Sequence, residues 1–110
     1  MSRPIDCRII ENALLARLAA RVLGGRAAAM VIGRRLLLWG VPAQAFLDDV
    51  RWRRHEACHV LQYHRYGLAG FLLRYAWQTL RHGYRHNALE AEARAASDQP
   101  GFDDRVHFHP

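Results

Sequence analysis

The residues best placed to do chemistry are gathered in one short run, Arg54-His55-Glu56-Ala57-Cys58-His59-Val60. This is the pattern HExxH. On a helix, residues four apart lie about 40° apart on one face and one turn up, so His55 and His59 can present two imidazole nitrogens to a single cation. Glu56 lies about 100° round from His55. From there it can reach water held by the cation without entering the ligand set, which is the placement of a general base. Random placement of the seven histidines and four glutamates of this chain would give about 0.02 such matches. The abundance of histidine therefore does not account for the run. The competing reading is two exposed histidines flanking a surface glutamate on an ordinary amphipathic helix.

Two histidines leave a zinc site incomplete, because catalytic sites use three protein ligands and keep a position open. A metzincin-type third ligand would fall six residues after His59, with glycine three after it. Those positions hold Arg65 and Gln62, which excludes that version, and His64 points off the face. The other solution is a carboxylate from a later helix, and the chain offers Asn87-Ala88-Leu89-Glu90-Ala91-Glu92-Ala93-Arg94-Ala95-Ala96. Alanines around the acids let such a helix pack closely on another. Glu90 and Glu92 lie about 200° apart, so only one of them can face the metal.

HExxH followed by a glutamate on a downstream helix resembles the gluzincin zinc metallopeptidases. The runs His55–Gln62 and Tyr84–Ala93 look like the minigluzincins and the metallopeptidase-like core domains of bacterial toxin and injection-system proteins. The likeness spans about Ala28–Ala96. It implies Zn²⁺ on His55, His59 and Glu90, the last because the family's ligand glutamate precedes an alanine by three, here Ala93. It implies Glu56 as the base that takes a proton from the water, whose pKa zinc lowers toward about 7, and returns it to the leaving amine. Family members take a further donor from near the third ligand; Tyr84, His82 and His86 are close, and Tyr84 is preferred. The resemblance also implies a substrate-binding edge strand in the hairpin before the HExxH helix. Two positions depart from the pattern. Ala88 stands where proline is usual, and Arg94 stands where an aspartate often orients the first histidine. Asp48, Asp98 or a backbone carbonyl is left to serve His55.

The elements that must position these residues follow from local signals. Apolar residues at helical spacing predict a helix over Glu11–Leu23, with Asn12 as cap and Gly24-Gly25 as stop. Ala28–Ile32 and Leu36–Trp39 predict a β-hairpin turning at Gly33. The HExxH helix runs from Asp48-Asp49 to Tyr66, with Gly67 as its stop. Leu68–Leu80 is a third helical segment, Arg81–His86 a loop, and Asn87 caps a short helix from Ala88 to about Ser97. Residues 1–8 read as an irregular lead-in. Residues 98–110 read as a flexible tail or one that folds into the cleft, where Asp103, Asp104, His107 or His109 would reach the metal. The expected architecture is α+β: residues 1–110 as one small, mostly helical, zincin-like domain with one hairpin beside the HExxH helix.

Composition narrows the function. Hydrophobic residues make up 51% and charged residues 24%, a globular balance. No apolar run approaches the roughly 18–20 residues of a membrane span. No secretory leader is visible, so a cytoplasmic location is expected, a non-classical export route aside. The net charge of +6 comes with 16 basic residues, all arginine, scattered without a stripe or patch, so a nucleic-acid partner is not expected. Cys7 and Cys58 do not make a disulfide framework. Cys58 reads as a small buried residue, and Cys7 as an ordinary cysteine or a thiolate on the metal. Together these features predict a zinc-dependent metallopeptidase acting on a peptide or protein, latent if the tail blocks it. The alternative is an inactive metal-binding interaction module of a bacterial toxin or secretion assembly.

Overall fold

A computed structural model describes residues 3–110. Strand β1 (Ile5–Ile10) leads into helix α1 (Leu14–Val22), then the strands β2 (Ala28–Ile32) and β3 (Arg35–Trp39). Helices α2 (Ala43–Asp48), α3 (Val50–His82) and α4 (Ala88–Ala96) follow, then a 3-10 turn at Phe102–Arg105 and strand β4 (Val106–His109). The four strands form one mixed sheet in the order β2-β3-β1-β4. β2 pairs antiparallel with β3, while β1 runs parallel to both β3 and β4. The small α+β architecture is thus the expected one, with a larger sheet than the lone hairpin. No helix among the described residues is long and apolar enough to cross a membrane.

Both chain ends differ from expectation. The lead-in is a strand, and its alternation places Cys7 and Ile9 in the core while Asp6 and Arg8 face out. Residues 98–110 are neither free nor in the cleft. Val106 and Phe108 are buried opposite Ile5 and Cys7 in the β1/β4 register. Phe108 meets the Phe46 ring edge-on at 5.0 Å. β4 sits at the sheet edge away from β2, so His107 faces out beside Asp6 at 3.2 Å. Asp103 is held by Arg53 at 3.1 Å and Arg54 at 3.5 Å.

Helix α1 is shorter than its periodicity suggested. Asn12 adopts a left-handed turn (φ 55°) and Ala13 takes the cap position without a side-chain bond. It also turns the opposite face inward. Ala16 and Ala20 are buried, while Leu14, Leu18 and Val22 are more than half exposed. Small side chains give a close approach to the sheet, and the leucines line the outside. Helix α2 lies outside the elements expected from sequence and receives Glu11 at its start, where the carboxylate accepts from the Ala43 N–H at 3.1 Å.

The long helix is broken where the sequence places a stop. Gly67 has φ 73° and ψ 168°, a region essentially restricted to glycine. The chain turns there and resumes as helix, so its second half folds back beside the first. Tyr63 before the break stacks on Phe71 after it, with ring centroids 3.8 Å apart. Asn87 then locks α4 to that second half. Its carbonyl accepts from the Leu89 N–H at 2.8 Å, and its amide donates to Tyr75 O at 3.1 Å and Thr79 Oγ1 at 2.9 Å.

Because β4 supplies core side chains, Phe108→Ala is expected to lower stability by about 3–5 kcal/mol, read as a shifted denaturation midpoint. A midpoint equal to wild type would show that the C-terminal residues are a free tail.

Candidate metal centre

The first half of α3 carries His55, Glu56 and His59 on its buried side, and α4 brings Glu90 across to meet them. Ala93 and Ala96 pack with Cys58 between the two helices, so the alanines do allow the close approach. Cys58 is accordingly a buried core residue. Glu90 Oε1 lies 3.1 Å from His55 Nε2 and 3.1 Å from His59 Nε2. One ligand atom from each of the three residues falls within 4.8 Å of the other two, a group that could hold a metal ion. A tetrahedral zinc site with bonds of about 2.0–2.1 Å has ligand-to-ligand edges of about 3.3 Å, close to the two distances from Glu90 to the imidazoles. Glu92 points elsewhere, as the helix phase requires. It accepts from Gln62 Nε2 at 2.8 Å and faces Arg65 at 3.4 Å.

The hydrogen bonds behind His59 decide its tautomer. Gln62 Nε2 donates to Leu89 O at 3.0 Å and to Glu92, which turns its carbonyl oxygen toward His59 Nδ1 at 2.8 Å. That oxygen can only accept, so the imidazole proton sits on Nδ1. The Nε2 lone pair then points at a Glu90 oxygen. Two lone pairs at this distance repel unless a proton or a cation lies between them. In the protein without metal, burial opposes a charge on His59, but the hydrogen bond to Glu90 and the nearby Glu56 outweigh it, and its pKa is pushed up to about 9. Glu90 shows the counterpart. Burial would raise its carboxyl, yet the bonds from His55 and His59 hold it well below the usual carboxylate range.

Glu56 is buried, and its Oε2 has no hydrogen-bond partner. Burial raises its pKa against the opposing pull of His59 and His55. An orphaned carboxylate oxygen in a protein interior is costly. Glu56 lines the same cavity as the three ligand candidates, and this unmatched acceptor fits a group held there better than it fits a core position. With the two imidazoles and the carboxylate, the donor set suits a borderline divalent ion such as zinc.

Not one protein-family model, curated protein or solved structure matches the chain. The site therefore stands on its own geometry.

The remaining residues singled out from sequence fall into place around it. Tyr84 lines the cavity beside His55, Glu56 and Glu90 and is half exposed. Burial and the Glu90 charge raise its pKa. His82 and His86 are exposed and do not line it. Among the described residues His55 finds no acid behind it: Asp48 accepts from Gln44, and Asp98 pairs with Arg51. Cys7 lies in the core of the sheet, where burial, reinforced by the Glu56 charge, pushes its thiol up to about 12, and it is not part of the group formed by His55, His59 and Glu90. Two participants were not foreseen. Gln62 orients His59, and its signal was its place three residues on along the same helix face. Tyr75 donates to Glu90 Oε2 at 2.7 Å and carried no local signal, since it reaches the site only because Gly67 turns the chain.

Gln62 fixes the nitrogen that faces the site, so Gln62→Leu should weaken zinc affinity by about 10–100-fold, measured by competition with a chromophoric chelator. Unchanged affinity would remove Gln62 from the site.

Proposed function

We propose that the protein is a zinc-dependent metallopeptidase, with His55, His59 and Glu90 as the metal ligands and Glu56 as general base. The observation that carries this reading is the meeting of His55 Nε2 and His59 Nε2 at one oxygen of Glu90, with the unpartnered Glu56 Oε2 beside them. Zinc bound by these residues supplies a Lewis acid that polarises a carbonyl and brings the pKa of water toward about 7.

The chain's own groups do the rest. Glu56 Oε2 takes the proton of the attacking water and returns it to the departing amine. Its burial, which raises its pKa, favours proton uptake by the carboxylate in this role. Tyr75 holds Glu90 through its hydroxyl and is thereby occupied. The Tyr84 hydroxyl has no hydrogen-bond partner among the described residues, although the Tyr84 carbonyl accepts from the Asn87 N–H at 3.2 Å; the phenol is left to donate to the oxygen of the carbonyl under attack. β2 is a sheet edge with β3 as its one neighbour, and it lines the cavity. Its free backbone groups suit an extended peptide laid alongside as an added strand.

Glu56→Gln keeps the shape of the side chain and removes the base. With zinc-loaded protein and a fluorogenic casein substrate, the expected result is loss of hydrolysis by at least about 10²–10⁴-fold with metal content unchanged. A variant as active as wild type would overturn the assignment of Glu56. A zinc-loaded wild type that cuts neither casein nor a peptide library would overturn the peptidase reading and leave a metal-binding module.

A further inference from the structure

The cavity at the metal centre is one end of a longer trough. A second, wider cavity of about 570 Å³ shares Leu23, Ala28, Ala29, His55, Glu56 and Tyr84 with the first, which holds about 220 Å³. The two therefore join at the His/Glu cluster and run along β2. Their walls differ. Beyond the cluster on one side lie Met30, Ile32, Tyr63, Phe71 and Leu72. On the other side lie Asp49, Arg51, Trp52, Arg94 and Ser97. The apolar end is smaller than a typical pocket for a drug-sized ligand, about 300–1,000 Å³, and is on the scale of one bulky side chain.

The charges at the polar end do not cancel. Asp49 is engaged at the start of α3, where its carboxylate accepts from the Trp52 N–H at 3.0 Å. Arg51 is paired with Asp98. Arg94 donates from Nη2 to the Arg85 carbonyl at 2.7 Å and meets no carboxylate among the described residues. One hydrogen bond orients the guanidinium and leaves most of its five N–H donors unused. A planar cation held in this way beside an edge strand matches a carboxylate bidentately.

We propose that the trough takes an extended peptide with a bulky apolar side chain on one side of the scissile bond and a carboxylate on the other, and that Arg94 is the residue that reads the carboxylate. The scissile bond belongs to the peptidase reading above, on which this inference rests; the pairing of the two ends with the peptide does not need turnover. An aspartate or glutamate side chain and a peptide C-terminus offer Arg94 the same chemistry. The β2 edge fixes the peptide backbone without regard to sequence, so selectivity falls to the two ends.

Binding separates this inference from catalysis. The probes are fluorescein-labelled alanine heptapeptides with one leucine and one glutamate, set one to three residues apart in either order. Their counterparts carry glutamine for glutamate, alanine for leucine, or a C-terminal acid or amide in place of the glutamate. Anisotropy on zinc-loaded Glu56→Gln protein is expected to show the best glutamate or terminal-acid peptide binding about tenfold tighter than its neutral counterpart. The same change on top of Arg94→Gln should shrink the preference below about twofold, while Arg94→Lys, which keeps the charge, should retain part of it. Leu72→Ser should weaken the leucine preference about fivefold and leave the carboxylate preference in place. Whether the glutamate or the terminal acid binds better identifies the source of the carboxylate. Equal binding of acidic and neutral peptides, or a preference that survives Arg94→Gln, overturns the proposal. If the favoured peptide binds but zinc-loaded wild type does not cut it, the peptidase reading fails while the trough assignment stands.

Discussion

His55, His59 and Glu90 are brought to one point inside the protein, and the contact is tolerable only with positive charge at its centre. The Gln62 amide obliges His59 to carry its proton on the far nitrogen, and the near nitrogen then confronts a carboxylate oxygen at 3.1 Å. No water fits between two atoms at this distance, and His59 and Glu90 are both almost fully buried. Either the imidazole takes a second proton or a metal sits between the groups. A buried charge cluster of this kind is poor evidence for stability, since desolvating its members is expensive. It is much better evidence for a site whose occupant repays that cost.

The fold is arranged to keep that point fixed. One helix supplies both imidazoles, so their spacing is set by the helical rise and not by loops. The glutamate comes from a second helix whose alanines permit close packing, and whose cap, Asn87, is tied to the backbone of the refolded half of α3. Gly67 is the hinge of this arrangement. Without its positive φ the long helix would run straight on, and Phe71 and Tyr75 would leave the site. With it, Tyr75 returns to hold the second oxygen of Glu90, and aromatic rings close the wall beside His59. On the opposite side the sheet presents its antiparallel edge, so the opening of the site is bounded by a strand with unused hydrogen-bonding groups.

What the sequence revealed and what it hid divide along physical lines. Signals carried by neighbouring residues were legible: the HExxH spacing, the helix phase that lets only one of Glu90 and Glu92 face inward, the turn at Gly33, the break at Gly67 and the Asn87 cap. Features that depend on distant pairing were not. β1 and β4 are short, and each has a weak alternation of apolar and polar residues; they identify each other only across about the whole length of the chain, as Asp6 meets His107. Tyr75 depends on the geometry of a glycine eight residues earlier. The inverted face of α1 went unseen because leucine spacing identifies a helix but does not say which of two faces the sheet will accept. There, small alanines won over large leucines.

The central claim is that a single cation joins the two imidazoles to Glu90. Protein purified without chelators or a histidine tag can be assayed for metal by mass spectrometry and then examined by X-ray absorption at the zinc edge. The account predicts about one zinc per chain, bound by nitrogen and oxygen at about 2.0–2.2 Å with the outer-shell signature of two imidazoles, and loss of that metal in Glu90→Ala. Absence of stoichiometric metal after incubation with zinc, or a sulfur ligand at about 2.3 Å, would contradict it.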